Sequence, residues 1–218
     1  YCYSNHVKKI KELIDNKTLG EILYFDSVRI NLGLFQQDIN VAWDLAPHDL
    51  SILFYIFNDD PISLTATGTS HAGNNIENLS YINLYYPNNM IAHIHVNWLS
   101  PLKERKIMIA GDKKMLVWDD LNPSESIKVY DTGIGVKEIS KDEKRKFMIS
   151  YRTGDVYIPK IEHSEPLANV VNEFSNSILG KKISKTDGKA GLKVLKVLEA
   201  INYSMQNNSK IVNLDFSK

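Results

Sequence analysis

Hydrophobic and polar positions alternate through the middle of the chain, with the period of two that is typical of half-buried strands. The stretch from 90 to 99 is the clearest case, because Ile91, His93, His95 and Asn97 share one side and apolar residues share the other. Turn residues separate successive stretches, so neighbouring strands are expected to pair antiparallel. The predicted strands span residues 21–32, 62–70, 78–86, 90–99, 104–110, 114–119 and 126–130.

Apolar residues recur at helical spacing near both ends of the chain and in one central run. Four helices are predicted: one from about residue 7 that stops near Gly20, one over 48–57, one from Glu165 to Gly180, and one from Asp187 to about Met205. In the third helix an inward apolar face is expected, made of Val170, Val171, Phe174 and Ile178. The fold class is therefore α+β, a large, mostly antiparallel open sheet with helices packed on one face, expected to form one domain over residues 1–218.

A carboxylate and an imidazole, Asp44 and His48, stand four residues apart in an otherwise apolar run. Pro47 fits the first position of a helix and disfavours helical backbone at the preceding residue, which predicts Asp44 before the helix and His48 in its first turn. The positive end of the helix dipole disfavours imidazolium there, and a neutral ring can take a proton from a hydroxyl. The alternative is that Asp44 caps the helix and His48 is a partly buried helix residue.

Composition and charge exclude several classes of protein. Lys plus Arg and Asp plus Glu both number 26, so nothing points to nucleic acid or an anionic membrane. The single cysteine, Cys2, excludes an internal disulfide and a cysteine-based zinc site, and fits a reducing cytoplasm. No apolar run approaches the roughly 20 residues of a membrane span. The start of the chain lacks both a signal peptide and an initiator Met, so we expect a fragment of a longer protein.

Several common site motifs are absent from the sequence, namely the glycine-rich dinucleotide turn, the phosphate loop and the Gly-x-Ser-x-Gly elbow. Gly133 and Gly135 are interpreted as a turn, and residues 137–152 as a mobile loop or surface extension. His93 and His95 share a strand face but lack a third ligand, so a polar sheet face is preferred over a metal site. His163, near Glu162 and Glu165, is a candidate for a substrate contact.

Several segments resemble, in the same order, the C-terminal domain of the Gfo/Idh/MocA oxidoreductases, the relatives of glucose-fructose oxidoreductase and inositol dehydrogenase. Residues 3–14 and 19–22 are similar to the helix and strand that follow the nucleotide-binding domain of that family. Trp43-Asp44-x-x-x-His48-Asp49 resembles its Asp-x-x-x-His motif, residues 100–111 resemble the sheet of sugar-nucleotide-type members, and residues 165–204 resemble its two closing helices. The family's Rossmann domain, with its Glu-Lys-Pro segment, has no counterpart here.

The resemblance implies the substrate and oligomerisation domain of an NAD(P)-dependent dehydrogenase that acts on a secondary hydroxyl of a sugar, sugar nucleotide or polyol. His48 would exchange the proton and Asp44 would position it or the substrate. The candidate substrate contacts are Arg29, Asn31, Asn40 and Trp43. Of these, Arg29 could grip a carboxylate or diphosphate or be a surface strand residue, and Trp43 could be a wall for a sugar ring or part of the core. NAD or NADP would be bound mainly by the missing domain, so we expect this chain alone to bind none and to be inactive.

The resemblance also implies a homodimer or tetramer through the sheet face, with no nucleic-acid or membrane partner. The residues expected in that interface are Tyr81, Tyr85, His93, His95 and Asn97. Two other functions compete. One is a non-catalytic binding or assembly module on the same sheet, and the other is a hydrolase in which Asp44 and His48 activate water.

Overall fold

The computed structural model describes residues 1–33, 35–71, 73, 75–131, 133–136, 149–162, 164–180 and 184–216, without the side chains of 133–136 and 149–151. The helices are α1 (Asn5–Asp15), α2 (Val41–Ile56), α3 (Pro166–Ile178) and α4 (Gly188–Gln206). The strands are β1 (Ile22–Leu32), β2 (Ser63–Thr69), β3 (Leu79–Tyr85), β4 (Ile91–Asn97), β5 (Leu99–Gly111), β6 (Met115–Asp119), β7 (Ile127–Tyr130), β8 (Gly133–Val136), β9 (Ile149–Arg152), β10 (Val156–Tyr157) and β11 (Val212–Asn213). The predictions for residues 137–148 and His163 fall outside the described residues.

Nine strands form one open sheet in the order β10-β7-β6-β5-β1-β4-β3-β2-β11, and β8 and β9 form a separate pair. Strand β1 runs parallel to β4, and every other pairing between described strands is antiparallel. Helix α2 packs against β3 and β4, and α4 packs against β2. The predicted α+β class, a mostly antiparallel open sheet with helices, is confirmed.

Strand alternation separates a buried sheet face from an open one. In β4, Ala92, Ile94 and Val96 are fully buried under the helices, whereas His93 and His95 lie on the other face. Because side chains alternate along a strand, the same parity places Arg29 of β1 on the buried face. This burial decides what the arginine can contact.

Helix α2 begins at Val41, so the prediction that Pro47 starts this helix was wrong. The side chain of Asn40 caps the helix by accepting the N–H of Trp43 at 3.1 Å, and Val41 and Ala42 are fully buried. Pro47 lies inside the helix, where its missing N–H leaves the carbonyl of Trp43 without the usual helical donor. The hydrogen bond of the Asn40 cap and the burial of Val41 and Ala42 outweigh the loss of this one helical hydrogen bond.

Three further predictions were wrong. Helix α1 ends at Asp15, short of the expected stop near Gly20. The apolar residues of α3 that were expected to face inward are exposed, because Glu173 is on the buried side of that helix. Gly133 and Gly135 lie in strand β8 instead of the predicted turn, and residues 149–152, from the segment interpreted as a mobile loop or surface extension, form its partner β9. No helix within the described ranges is both long and apolar enough to cross a membrane.

Candidate active site

One side of α2 carries the residues singled out in the sequence. Asn40, Asp44 and His48 follow one another at intervals of four residues, which places them along the same side of the helix. At 1.5 Å per residue, the stripe from Asn40 to His48 is about 12 Å long. The structure therefore places these three predicted residues in one row along α2.

His48 is exposed at the surface of α2, beside the aromatic ring of Tyr1. The two ring centroids are 5.5 Å apart and meet edge to face. Burial of the inner side of the imidazole and the positive charge of Arg29 lower the pKa of His48, while the charge of Asp49 opposes the shift. The sequence also predicted a neutral ring, but from the dipole at the helix start. His48 is well inside α2, so the helix start does not contribute to the shift.

Arg29 is buried below His48 and is already paired within the chain. Its Nε donates to Oδ2 of Asp49 at 2.8 Å and its Nη2 donates to Oδ1 at 3.0 Å. Burial alone would lower the pKa of Arg29, but the hydrogen bond and charge of Asp49 outweigh it and raise that pKa. The bidentate contact that the sequence suggested for a substrate anion is thus made to Asp49.

Tyr1 connects this ion pair to the surface. Nη1 of Arg29 donates to the Tyr1 hydroxyl at 3.2 Å, and that hydroxyl donates to Oδ2 of Asp120 at 3.1 Å. The guanidinium carbon of Arg29 lies 4.9 Å from the centre of the Tyr1 ring, in a cation–π contact. The Tyr1 ring that flanks His48 is therefore held by Arg29 and Asp120.

Asp44 binds the buried indole of Trp98, and Asn31 lies near the neighbouring Gly33. Nε1 of Trp98 donates to Oδ2 of Asp44 at 2.9 Å, which ties α2 to the β4–β5 junction. A Cβ on Gly33 would lie 3.0 Å from Cδ1 of Trp98 and 3.1 Å from Nδ2 of Asn31, so both side chains border Gly33. One carboxylate oxygen of Asp44 therefore has a structural partner.

Asn40 and Trp43 line a cavity of about 380 Å³ at the start of α2, together with Glu77 and Asn202. Nδ2 of Asn40 donates to Oδ1 of Asn202 at 2.8 Å and to Oε2 of Glu77 at 3.2 Å. The indole of Trp43 packs partly against the core, and its Nε1 has no hydrogen-bond partner among the described residues. Through Asn40, this cavity continues the row formed by Asp44 and His48.

A larger cavity, of about 760 Å³, lies on another side of Tyr1. The first turn of α1, the β6–β7 turn and residues 158–162 form its walls. Its lining includes Asp120, Lys160 and Glu162 but not His48. Tyr1 lines this cavity and also contacts the ring of His48.

Sequence reasoning missed three contributors to this region: Tyr1, Asp49 and Trp98. A signal existed for Asp49, because Arg29 has the parity of the buried residue Phe25 and a buried arginine requires an acidic partner. For Tyr1 and Trp98 the pairing partners are distant along the chain, so no local pattern indicates their roles.

A family model described as the GFO/IDH/MocA C-terminal domain matches residues 7–117, more than half of the 218 residues. The chain belongs to this family. Its predicted resemblance to the Gfo/Idh/MocA oxidoreductases is thereby confirmed. A search among curated proteins found none that matches.

Solved structures of oxidoreductases share the fold of this GFO/IDH/MocA domain. An aldose-aldose oxidoreductase from Caulobacter crescentus, complexed with glycerol, has a TM-score of 0.76 at 14% identity, over 98% of this chain and 62% of that one. The WlbA dehydrogenase from Bordetella pertussis, in complex with NADH and UDP-GlcNAcA, has a TM-score of 0.69 at 19% identity, over 95% and 60%. UDP-N-acetylglucosamine 3-dehydrogenase GnnA from Acidithiobacillus ferrooxidans has a TM-score of 0.69 at 17% identity, over 94% and 61%. The chain spans about three fifths of the length of these structures.

The helix starts among the described residues of this GFO/IDH/MocA domain bear on where a dinucleotide could be held. A pyrophosphate is usually held by free N–H groups at a helix start. The starts of α1, α2, α3 and α4 are each capped by a side chain of the chain itself, namely Ser4, Asn40, Glu165 and Asp187. Two of these caps are acidic and would repel a phosphate.

A metal centre is not formed among the described side chains either, since no three potential ligands come together there. His93 instead makes a 2.9 Å hydrogen bond between its Nδ1 and Oδ1 of Asn83. His95 stacks on Tyr81 with the ring centroids 4.5 Å apart. Both histidines belong to the open sheet face, in agreement with the preferred interpretation of the sequence.

Proposed function

We propose that this domain holds the substrate of an NAD(P)-dependent oxidoreductase that acts on a secondary hydroxyl of a sugar, sugar nucleotide or polyol. The observation that carries the proposal is the exposed ring of His48, whose pKa is lowered by its surroundings. Such a ring is neutral near pH 7 and can accept the proton of a hydroxyl or return it. NAD(P), held mainly by a domain beyond this chain, would supply the hydride acceptor.

Asp44 is proposed as a positioning residue for this proton transfer. Its bond to Trp98 fixes the side of α2 on which His48 stands. Asn31, Asn40 and Trp43 are the proposed substrate contacts. The row from His48 to the cavity beside Asn40 is long enough for a ligand larger than a single sugar ring, which supports the sugar-nucleotide alternative.

Arg29 is proposed to act through Asp49 and Tyr1, without touching the substrate. The ligands present in two structural neighbours, glycerol and UDP-GlcNAcA, support a polyhydroxylated substrate class. Because both donor groups of Arg29 that face Asp49 are already paired with it, a diphosphate on the substrate would require a different cation.

The test is steady-state kinetics of the complete enzyme with His48→Gln. General-base catalysis is typically worth about 10²–10⁴ in rate, so kcat is expected to fall by that factor while KM changes much less. His71→Gln is the matched control, because His71 is an exposed histidine outside α2 and its Nδ1 contacts Asn78. Unchanged turnover in His48→Gln would remove His48 from the mechanism.

A second measurement addresses the cofactor. Isothermal titration of the 218-residue chain with NAD and with NADP is expected to show no binding, because its helix starts are already capped. Micromolar affinity would contradict the assignment of this chain to the substrate-holding part alone.

We also propose that copies of the domain associate as a dimer or tetramer through the open sheet face. Tyr81 is exposed there between His93 and His95, with ring centroids 6.0 and 4.5 Å away. Tyr81→Glu is expected to shift the association equilibrium toward monomer in sedimentation experiments. Tyr203→Glu, at an exposed position of α4, is the control. A parent chain that stays monomeric at high concentration would contradict the proposal.

A further inference from the structure

The side-chain amide of Asn40 has no donor left for a ligand. Its Oδ1 accepts the N–H of Trp43 at 3.1 Å. An amide nitrogen carries two hydrogens, and Nδ2 of Asn40 donates to Oδ1 of Asn202 at 2.8 Å and to Oε2 of Glu77 at 3.2 Å. A ligand beside Asn40 therefore depends on the neighbouring side chains for its hydrogen bonds.

Glu77 and Asn202 each keep one polar atom unused. Among the described residues neither Oε1 of Glu77 nor Nδ2 of Asn202 has a hydrogen-bond partner, and both atoms are accessible to solvent. Both side chains line the cavity of about 380 Å³ at the start of α2. Because their bonded oxygens share the nitrogen of Asn40, these two oxygens are at most about 6 Å apart, the sum of the two bonds. The cavity thus offers one acceptor and one donor near each other.

The rest of the lining disfavours a charged group in this cavity. Ile39, Ile76 and Trp43 supply apolar surface, and Asp38 adds a second carboxylate. The described lining includes no lysine, arginine or histidine, so a phosphate or carboxylate would be repelled. An ammonium group would leave the N–H of Asn202 without an acceptor. A neutral group that both donates and accepts is the best match.

The two polar groups are held in place before a ligand arrives. The backbone carbonyl of Glu77 accepts the N–H of Val41 at 2.9 Å, which ties Glu77 to the first turn of α2. A Cβ on Gly68 would lie 3.0 Å from Cγ of Glu77, so the glycine leaves room for this side chain. Asn202 belongs to α4 and meets Glu77 through Asn40. Groups that are already ordered lose little entropy when they bind.

We propose that Glu77 and Asn202 bind two neighbouring hydroxyls of the substrate, on a part of it other than the one that reacts at His48. The inference rests on the proposed function. A hydroxyl both donates and accepts, so one hydroxyl of the pair donates to Oε1 of Glu77 and the other accepts from Nδ2 of Asn202. The row from Asn40 to His48 is about 12 Å long, which separates this diol from the reacting hydroxyl.

Two isosteric substitutions in the full-length protein test the diol site, because each changes the unused atom and keeps an oxygen for Asn40. Glu77→Gln replaces the unused acceptor by a donor, and Asn202→Asp replaces the unused donor by an acceptor. Isothermal titration is expected to show that each raises the Kd of a diol-bearing probe at least about tenfold, which corresponds to about 1.4 kcal/mol. Glu199→Gln, at an exposed position of α4 outside the cavity lining, is the matched control and is expected to keep the parent Kd.

UDP-glucose and cellobiose are the probes, because a ribose supplies the diol in the first and a second sugar ring supplies it in the other. If the ribose is bound, the 2′-deoxyuridine analogue of UDP-glucose is expected to bind the parent protein at least about tenfold more weakly. Cellobiose binding that both variants weaken would support the proposal with a second sugar ring as the source. A protein that binds neither probe, or variants that both keep the parent Kd, would overturn it.

Equilibrium binding needs no turnover, so the diol site and the role of His48 are tested separately. Weaker binding in Glu77→Gln together with unchanged kcat in His48→Gln would leave the diol site intact and remove only His48. Parent affinity in Glu77→Gln and Asn202→Asp together with a fall of kcat in His48→Gln would remove the diol site and leave the proton transfer at His48.

Discussion

Arg29 and Asp49 form a bidentate ion pair between the central strand β1 and helix α2, with side chains only 6% and 1% exposed. The pair lies directly below the exposed imidazole of His48, and its cation lowers the pKa of that ring. The same guanidinium supports the ring of Tyr1. One buried contact thus links the packing of α2 on the sheet with the protonation state of the proposed proton acceptor.

Removing one partner of this pair is expected to destabilise the fold strongly. Asp49→Asn leaves the guanidinium of Arg29 buried without a counter-charge, and broken buried pairs typically cost about 3–5 kcal/mol. Urea unfolding followed by circular dichroism measures this loss as a fall in the free energy of unfolding.

The control for this prediction removes both charges at once. In the double variant Arg29→Met/Asp49→Leu no buried charge remains, so its free energy of unfolding is expected to lie closer to that of the parent than to that of Asp49→Asn. If the double variant is the less stable of the two, the destabilisation does not come from an uncompensated charge.

The titration of His48 is expected to occur below the ordinary histidine value of about 6.5. The folded state holds the ring neutral, so the unfolded chain binds more protons as the pH falls through 6.5. Folding stability contributed by this group is therefore complete above that pH and is lost toward lower pH. The same sign predicts that the acid limb of kcat/KM in the complete enzyme lies below pH 6.5.

Proton NMR of the imidazole C2–H resonance checks this prediction, with His48→Gln identifying the signal. The same resonance in urea-unfolded chain provides the reference. A folded-state midpoint at or above the unfolded one would show that the charge of Asp49 outweighs burial and Arg29.

The sequence predicts a strand closely where two-residue alternation lies between turn residues, as in β2, β3, β4, β6 and β7. Strand β5 begins at Leu99, five residues before its predicted start, directly after β4. Helix boundaries were harder. Pro47 is a strong local signal, but the start of α2 is decided by the burial of Val41 and Ala42 against distant strands. The face of α3 failed for the same reason: periodicity shows which residues share a side, and only tertiary contacts such as Asn169 to Tyr3 decide where that side points.

In the candidate site, too, local signals could be read from the sequence and tertiary partners could not. His48 and Asp44 stand out locally as polar residues in an apolar run, and structure places them in one row. The partner of Asp44 is Trp98, which is 54 positions away along the chain, and no spacing rule connects them. The sequence left Arg29 as either a contact for a ligand anion or a surface strand residue, and the structure shows it buried against Asp49. The sequence does not show that strand β1 lies at the centre of the sheet.

The Asp44–Trp98 hydrogen bond is expected to contribute measurably to stability. Asp44→Ala leaves a buried indole N–H unpaired, which typically costs about 1–3 kcal/mol. Asp44→Asn retains an acceptor oxygen and is the conservative control, with a smaller expected loss. A double-mutant cycle with Trp98→Phe, measured by urea unfolding, isolates the coupling, which is expected to be about 0.5–3 kcal/mol. A coupling energy indistinguishable from zero would mean that Asp44 is free for a substrate.

Two glycines are expected to respond to alanine with opposite signs. A Cβ at Gly111 would lie 2.0 Å from the backbone carbonyl oxygen of Leu19, so the chain must shift to accept it and a loss of about 1–3 kcal/mol is expected. At Gly191, within α4, a Cβ meets nothing within 4 Å, and alanine is expected to stabilise the helix by about 0.5–1 kcal/mol. Thermal unfolding of both variants measures the two changes in stability. The substitution is the same in each, so the difference reports the surroundings of the added Cβ. A Gly111→Ala variant as stable as the parent would show that the segment around Leu19 yields freely, and a destabilised Gly191→Ala variant would contradict the open space around that position.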